Sequence, residues 1–535
     1  MDSPRRARHV VPNETNHGNT GIMRLLAWTM SLALLTAASA RAAEPNLNTP
    51  VIYYDMAGNE TLDPVEPQNN SSYSHEALLA VYEPLIRLND AGDPEPGLVE
   101  SWTRNADLTE LTLKLRKGVT FHDGTPFNAE AVKRNFERMT ALGTRAGTTV
   151  IETFKLIDSV EYRGEDVVHI KLKKPSGQIE FWFGANAGMM VSPAALTEGV
   201  IGSALKPNGA GPFRVKNFDP NVKTLTTRFD GYWGGIKGRA IAFEHHYVPD
   251  GRARLNALRS GQANIAQIDP RQIPEAKGAG LQIQMTDKNA LWLIYTNLKK
   301  GPLGDIRVRK AMAHAIDREA IAEALTNGSA RATWQMWSRA SPFYVPELEN
   351  AYPYDPAKAK ALLAEAGYKD GIDLTDLVLN NSEYRQMAEA LQANFADVGI
   401  RMKLDVVDVS QFTQFYRPPT RADMLMGRYG GRSDPIQTVH EIVGTGGSYA
   451  PGGVASPRID ELLGQARAMA ATDPRRVGVM RDLAREVVTS VATIPMITRS
   501  NVYAYKPGCV LNLVPYLPSG DDRFNDVTIA AGCKN

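Results

Sequence analysis

Over most of its 535 residues the chain keeps switching between two hydrophobic periods, and this alternation constrains its fold more than any other feature. In LTLKLRKGV Leu111, Leu113 and Leu115 alternate with polar residues, as in a strand with one face in a core and one in water. Soon after, NAEAVKRNFERMT opens with Asn128 as an N-cap and places Ala131, Val132 and Phe136 on one helical face. VVHIKLKKP returns to the strand period and stops at Pro175. AIAFEHHYVPDGRARLNALRSGQANIA reads as strand, turn, short helix, turn, strand, and DIRVRKAMAHAIDREAIAEAL as a pair of helices. DPAKAKALLAEAGY is a helix ended by Gly367, and SPRIDELLGQARAMAATDPRRVGVMRDLAREVVTSVATIPMI holds two long helices separated at Asp473-Pro474. No internal repeat and no low-complexity segment interrupts the series. The expected class is mixed α/β (α/β or α+β) with several sheets, in a chain long enough for two or three domains.

Hydrophobic residues at 43% and charged residues at 22% leave room for a sizeable core, and a formal charge of +1 gives no basic face for nucleic acid. Near the amino terminus, Met23 and Arg24 precede LLAWTMSLALLTAASARAA, an apolar stretch that ends in small residues. A cation, a short apolar segment and Ala40-Arg41-Ala42 are the parts of a secretory signal, so residues 1–42 are expected to be a leader cleaved after Ala42. A membrane anchor is the competing reading of the same segment. The polar residues ahead of Met23 fit no signal peptide, which makes Met23 the expected start of translation. The two cysteines, Cys509 and Cys533, can close a single loop in an oxidising compartment, or stay reduced.

An exported hydrolase is the main rival class. No G-x-S-x-G elbow and no G-x-x-x-x-G-K-[ST] phosphate loop is present. His440 and Glu441 begin like a zinc-protease helix, but Gly444 stands where the second His belongs. His245 and His246 are adjacent in a strand and face opposite sides, so they do not share a metal. No catalytic set, metal or cofactor is expected.

The residues from Ala80 to Met139, AVYEPLIRLNDAGDPEPGLVESWTRNADLTELTLKLRKGVTFHDGTPFNAEAVKRNFERM, resemble the extracellular solute-binding proteins of peptide-type ABC importers, family 5. The likeness recurs at GAGPFRVKNF, RFDGYWGG, YVPDGRARLNALRSGQANIA, DIRVRKAMAHAIDREAI, SPFYVPEL and YPYDPAKAKALLAEAGY, in the family's order. Several of these blocks also have a local physical reading: Asp123-Gly124 is turn chemistry, and Gly209 and Gly211 permit a tight turn where a Cβ would clash. The resemblance implies two lobes joined by a hinge, closing around a ligand. The first lobe is expected from residues 44–75, 200–288 and 497–535, with an inserted subdomain at 76–199, and the second from 289–496. Crossovers near Thr286–Asn289 and Ile497–Asn501 are the expected hinge. Such a protein is a periplasmic monomer that does no chemistry, needs no cofactor, and hands a small molecule or peptide to a permease driven by ATPase subunits. A ligand-sensing receptor or a chaperone on the same fold is a third reading.

The segment LMGRYGGRSDP, Leu425 to Pro435, carries the ligand question. Peptide-binding members of the family have roughly Gly-Trp-x-Ala-Asp here, the Asp pairing with a peptide's α-ammonium. A subgroup with Trp-x-Gly-Arg-x-Asp-Pro is matched more closely, with Tyr429 at the Trp. Arg432 then stands where a carboxylate would be and is expected either to anchor an anion in a bidentate fork or to pair with Asp434 or another acid of its own lobe. Arg428 is a further ligand candidate that reads first as a solvated or structural charge, and Tyr429 reads as a stacking wall or as core. TWQMWSRASPF brings Trp334, Gln335 and Trp337 to a segment the family turns toward its cleft. Trp292 either reaches the cleft or fills the lobe, and Ser72, Tyr73 and Tyr384 are further candidates. The expected ligand is peptide-like or another small carboxylate-bearing compound.

Overall fold

Val51–Asp55 and Phe243–Tyr247, nearly two hundred residues apart in sequence, lie side by side as parallel strands in the first of two large sheets. The structure, a computed structural model, describes residues 44–535 except 71, 198–205, 236–237, 286–289, 409–410, 412–421, 451, 499, 517–520 and 534–535. The expected leader, residues 1–42, and the Thr286–Asn289 crossover therefore lie outside the described residues, as do the side chains of Ser72 and Tyr73.

Among the described residues, seven strands form the first sheet, with Val51–Asp55 between Ile265–Gln267 and Phe243–Tyr247. Its outer strands are Gln282–Met285 at one side and Phe213–Asp219 at the other. A second sheet of five strands runs in the order Ile400–Val407, Ile372–Leu379, Met424–Tyr429, Leu291–Thr296, Thr493–Thr498. Leu291–Thr296 is buried at every position, because helices cover both faces of this sheet and leave no polar side to alternate with. The chain passes from the first sheet to the second between Met285 and Leu291, and returns between Thr498 and Val502. Two lobes follow from these two crossings.

A four-stranded antiparallel sheet, Val99–Arg104, Glu110–Leu115, Val167–Leu172 and Ile157–Arg163, belongs to a segment inserted between strands of the first sheet. The helix Ala129–Leu142 packs on it with Ala131, Val132 and Phe136 buried, and the Asn128 side chain accepts from the Ala131 N–H at 3.0 Å. The GAGPF turn presses against the end of helix Ser72–Val81. A Cβ on Gly209 would come within 2.2 Å of the Val81 carbonyl oxygen, and one on Gly211 within 2.6 Å of the Val81 carbonyl carbon. Glycine at both places is what lets the turn dock. Cys509 and Cys533 are joined as a disulfide, which ties the last residues to a small sheet of Pro45–Asn46, Thr528–Ala530 and Val510–Leu511. No helix among the described residues is long and apolar enough to cross a membrane.

Candidate functional site

Between the two lobes lies a cavity of about 360 Å³. The first lobe supplies Met56, which follows the strand Val51–Asp55, together with the loop Gln267–Arg271. The second supplies Trp292, Arg428 and the first turn of helix Ser382–Ala396. Each polar wall is held by its own local chemistry. On the first lobe, Asp269 caps the short helix Pro270–Gln272, accepting from the Arg271 N–H at 2.9 Å. The same carboxylate takes the Arg271 guanidinium in a fork, Nε to Oδ1 at 3.1 Å and Nη2 to Oδ2 at 3.0 Å. Burial pushes the Asp269 carboxyl up, but the hydrogen bonds from Arg271 outweigh it and hold the group below its ordinary range. Arg271 also reaches across to the other lobe, its Nη1 donating to Gln386 Oε1 at 3.3 Å.

On the second lobe the decisive feature is strand parity. Arg428 and Trp292 are register partners on adjacent strands, so both side chains leave the sheet on the same face. The Arg428 guanidinium lies 5.7 Å from the Trp292 ring centre and 5.3 Å from that of Tyr384, and those two rings meet edge to face at 4.8 Å. Arg428 Nη1 donates to Glu383 Oε2 at 2.9 Å. Glu383 stands in the first turn of its helix, where Asn381 caps by accepting from the Tyr384 N–H at 2.9 Å. Trp292 and Arg428 thus line the cavity, with Tyr384 packed behind them. Of the readings open to Arg428, the geometry shows a charge paired with Glu383 and set on an aromatic pair at the cavity wall, not a solvated one.

Tyr429, one residue further along the strand, turns to the opposite face and packs in a different core cluster with Val439 and Leu462. It is 4% exposed, and its hydroxyl donates to Glu441 Oε2 at 3.0 Å. Arg432 follows it there. Its Nε donates to the same Glu441 oxygen at 2.8 Å, and its guanidinium lies over Tyr429 and Tyr449. Burial works against the Arg432 charge, but Glu441 more than offsets this and raises its pKa above the ordinary arginine value. Of the two roles open to Arg432, the one visible in this geometry is the ion pair with an acid of its own lobe. It does not line the cavity.

Trp334, Gln335 and Trp337 sit around a separate small hollow of about 20 Å³ and are committed to local structure. The Gln335 amide exchanges hydrogen bonds with the Val345 backbone, at 2.9 and 3.0 Å, and Trp334 Nε1 donates to the Tyr352 carbonyl at 2.9 Å. Trp337 is 2% exposed and packs against Phe343. Sequence reasoning missed Met56, Asp269, Arg271, Glu383 and Gln386. The signal for Glu383 and Gln386 was present in NNSEYRQ, where the capping pattern marks a helix start, but nothing local says which lobe that helix end faces.

The lobes also touch away from the cavity. The Gly177 N–H donates to the Arg467 carbonyl at 2.7 Å, and the Gln178 amide donates to the buried Asp434 carboxylate.

The sequence profile of the bacterial extracellular solute-binding proteins, family 5, matches residues 93–450. The chain belongs to that family. Among characterised relatives, the glutathione-binding protein GsiB of Salmonella choleraesuis is 29% identical over 389 residues, covering 71% of this chain and 74% of the relative. The dipeptide-binding protein of Escherichia coli is 26% identical over 437 residues, 76% of this chain and 80% of its own. In fold the chain is similar to the periplasmic binding protein DppA from Helicobacter pylori, solved with the peptide STSA, with a TM-score of 0.78 at 19% identity over 90% of this chain and 98% of that one.

Proposed function

We propose that this family 5 protein is the periplasmic receptor of an ABC importer, exported by the leader at residues 1–42 and handing a peptide-like solute to a permease and its ATPase. Residues 44–75, 200–288 and 497–535 form the first lobe, with 76–199 inserted, and 289–496 close over it through crossovers near 286–289 and 497–501. The protein works as a monomer and performs no reaction on its cargo.

The observation that carries the ligand reading is the pairing of charges on the cavity walls. Arg428 with Glu383 on one side and Arg271 with Asp269 on the other offer both signs within one cavity. A solute with a carboxylate and an ammonium group can take a partner of each sign, and Trp292 supplies apolar area beside them. Glutathione and dipeptides, named for the relatives, have those groups. Calorimetry of the mature protein against glutathione, dipeptides, their amidated forms and simple amines tests this, with mass spectrometry of whatever copurifies. Binding confined to compounds with a free carboxylate supports the reading. Equal binding of amidated and free forms, or turnover of the bound compound, overturns it.

A further inference from the structure

Beneath the first-lobe wall of the cavity, three buried side chains from three elements converge. His245 stands on the strand Phe243–Tyr247, Asp55 ends the parallel strand Val51–Asp55, and Glu76 comes from the helix Ser72–Val81. They are 0%, 3% and 5% exposed. His245 Nε2 lies 3.1 Å from Asp55 Oδ2 and 4.0 Å from Glu76 Oε2, and one donor atom from each residue falls within 4.8 Å of the others. We propose that this group is a structural site for one divalent first-row transition cation, of the Zn²⁺ type.

Geometry is the first argument. Donors about 2.0–2.2 Å from a tetrahedral zinc stand roughly 3.3 Å from one another. The His245–Asp55 separation of 3.1 Å is already close to that, and the His245–Glu76 separation of 4.0 Å needs only a small inward shift. Charge is the second. With the ring neutral the two carboxylates carry two negative charges, and the buried Arg254 guanidinium, which interacts with Asp55, offsets one of them. A divalent cation supplies the remaining counter-charge and takes the ring neutral. The imidazole donor selects transition metals over Ca²⁺ and Mg²⁺, which prefer all-oxygen shells.

The supporting shell is also present. The Met56 N–H donates to Asp55 Oδ1 at 2.6 Å, which leaves Oδ2 turned to the ring. Tyr53 stacks on the His245 ring at 4.8 Å and Tyr247 lies against it at 4.5 Å, so the imidazole is fixed in place. His246 points to the other face and stacks on Tyr54, so the pair of histidines divides as strand geometry demands. Since Met56 lines the cavity and is bonded to Asp55, a cation here would pin the cavity floor to the helix that carries Glu76.

The test uses the full mature chain, unfolded with chelator and refolded with Co²⁺ or Zn²⁺. One metal per chain is expected, with the visible absorption of Co²⁺ held by the three protein donors and one water in a four-coordinate shell. His245→Gln and Glu76→Gln should each weaken metal binding more than about 100-fold, while Arg428→Ala, in the cavity, should leave it unchanged. Metal binding that survives His245→Gln, or that is lost in Arg428→Ala, places the metal elsewhere and overturns the proposal. If the two site variants do not fold, the wild-type spectrum decides: six-coordinate Co²⁺ or no stoichiometric uptake overturns it equally.

Discussion

Gly177 and Arg467 join the two lobes through a backbone hydrogen bond of 2.7 Å, and the approach is so close that a Cβ at Gly177 has no room. A Cβ there would lie 1.6 Å from the Met469 carbonyl oxygen, an atom of the main chain that cannot swing aside. Gly177→Val should therefore leave each lobe folded and prevent them from meeting. Small-angle scattering should show wild type contracting with saturating ligand and the variant staying extended, with affinity at least about tenfold weaker. Equal contraction in both proteins would mean that this contact is not part of closure.

Asp376 makes a separate prediction about pH. It is wholly buried in the strand Ile372–Leu379, accepting from the Met426 N–H at 2.8 Å, and burial pushes its carboxyl up to about 8 from the ordinary 3.8. Because the folded value is the higher one, the folded state holds this proton more tightly than the unfolded chain. The contribution is complete below the unfolded value and is lost as pH rises toward and through about 8. The loss is at most roughly 1.4 kcal/mol per pH unit. Asp376→Asn removes the titration, so its stability relative to wild type in urea melts should rise between pH 5 and pH 9. A constant difference across that range would contradict the assignment.

The disulfide closes a loop with a sequence separation of 24. Loop-closure entropy for that length corresponds to about 3.5 kcal/mol. Replacing both cysteines by serine should lower the unfolding free energy by roughly that amount and expose the strand Thr528–Ala530 to hydrogen exchange first. Ligand affinity should hold, because the bond lies outside the cavity lining.

How far the sequence could be read depends on whether the relevant physics is local. Asn128 as a cap, the buried face Ala131, Val132 and Phe136, and the glycines at 209 and 211 were legible because neighbouring residues decide them. Resemblance supplied the two lobes, which no period or cap could. The site was less legible. Arg428 and Arg432 look interchangeable in LMGRYGGRSDP, and their fates are separated by strand parity and by which face of the second sheet borders the cavity. Both depend on the pairing of Met424–Tyr429 with Leu291–Thr296, more than a hundred residues away. Asp269 and Arg271 were invisible for the same reason: their local capping pattern says where a helix starts, not that the other lobe stands opposite.

That separation gives the sharpest prediction. Arg432 is enclosed with Glu441, whose side chain is 3% exposed, so Arg432→Ala leaves a buried carboxylate without its cation. Breaking such a pair costs about 3–5 kcal/mol of stability, and the ligand need not be present to feel it. Arg428 pairs with Glu383, whose side chain is 47% exposed and can turn to water when its partner goes. Arg428→Ala should therefore change the melting temperature little. With ligand bound and water excluded, the missing charge should weaken affinity by about 2–5 kcal/mol, or roughly one and a half to three and a half decades. Arg428→Lys should recover part of this, since an ammonium keeps the charge and loses the planar fork. An amidated ligand should bind wild type poorly and lose little more in Arg428→Ala, as a double-mutant cycle would report. Should Arg432→Ala instead keep its stability and lose the ligand, with Arg428→Ala silent, the anion would be held on the Glu441 side of the sheet and the cavity assignment would fall.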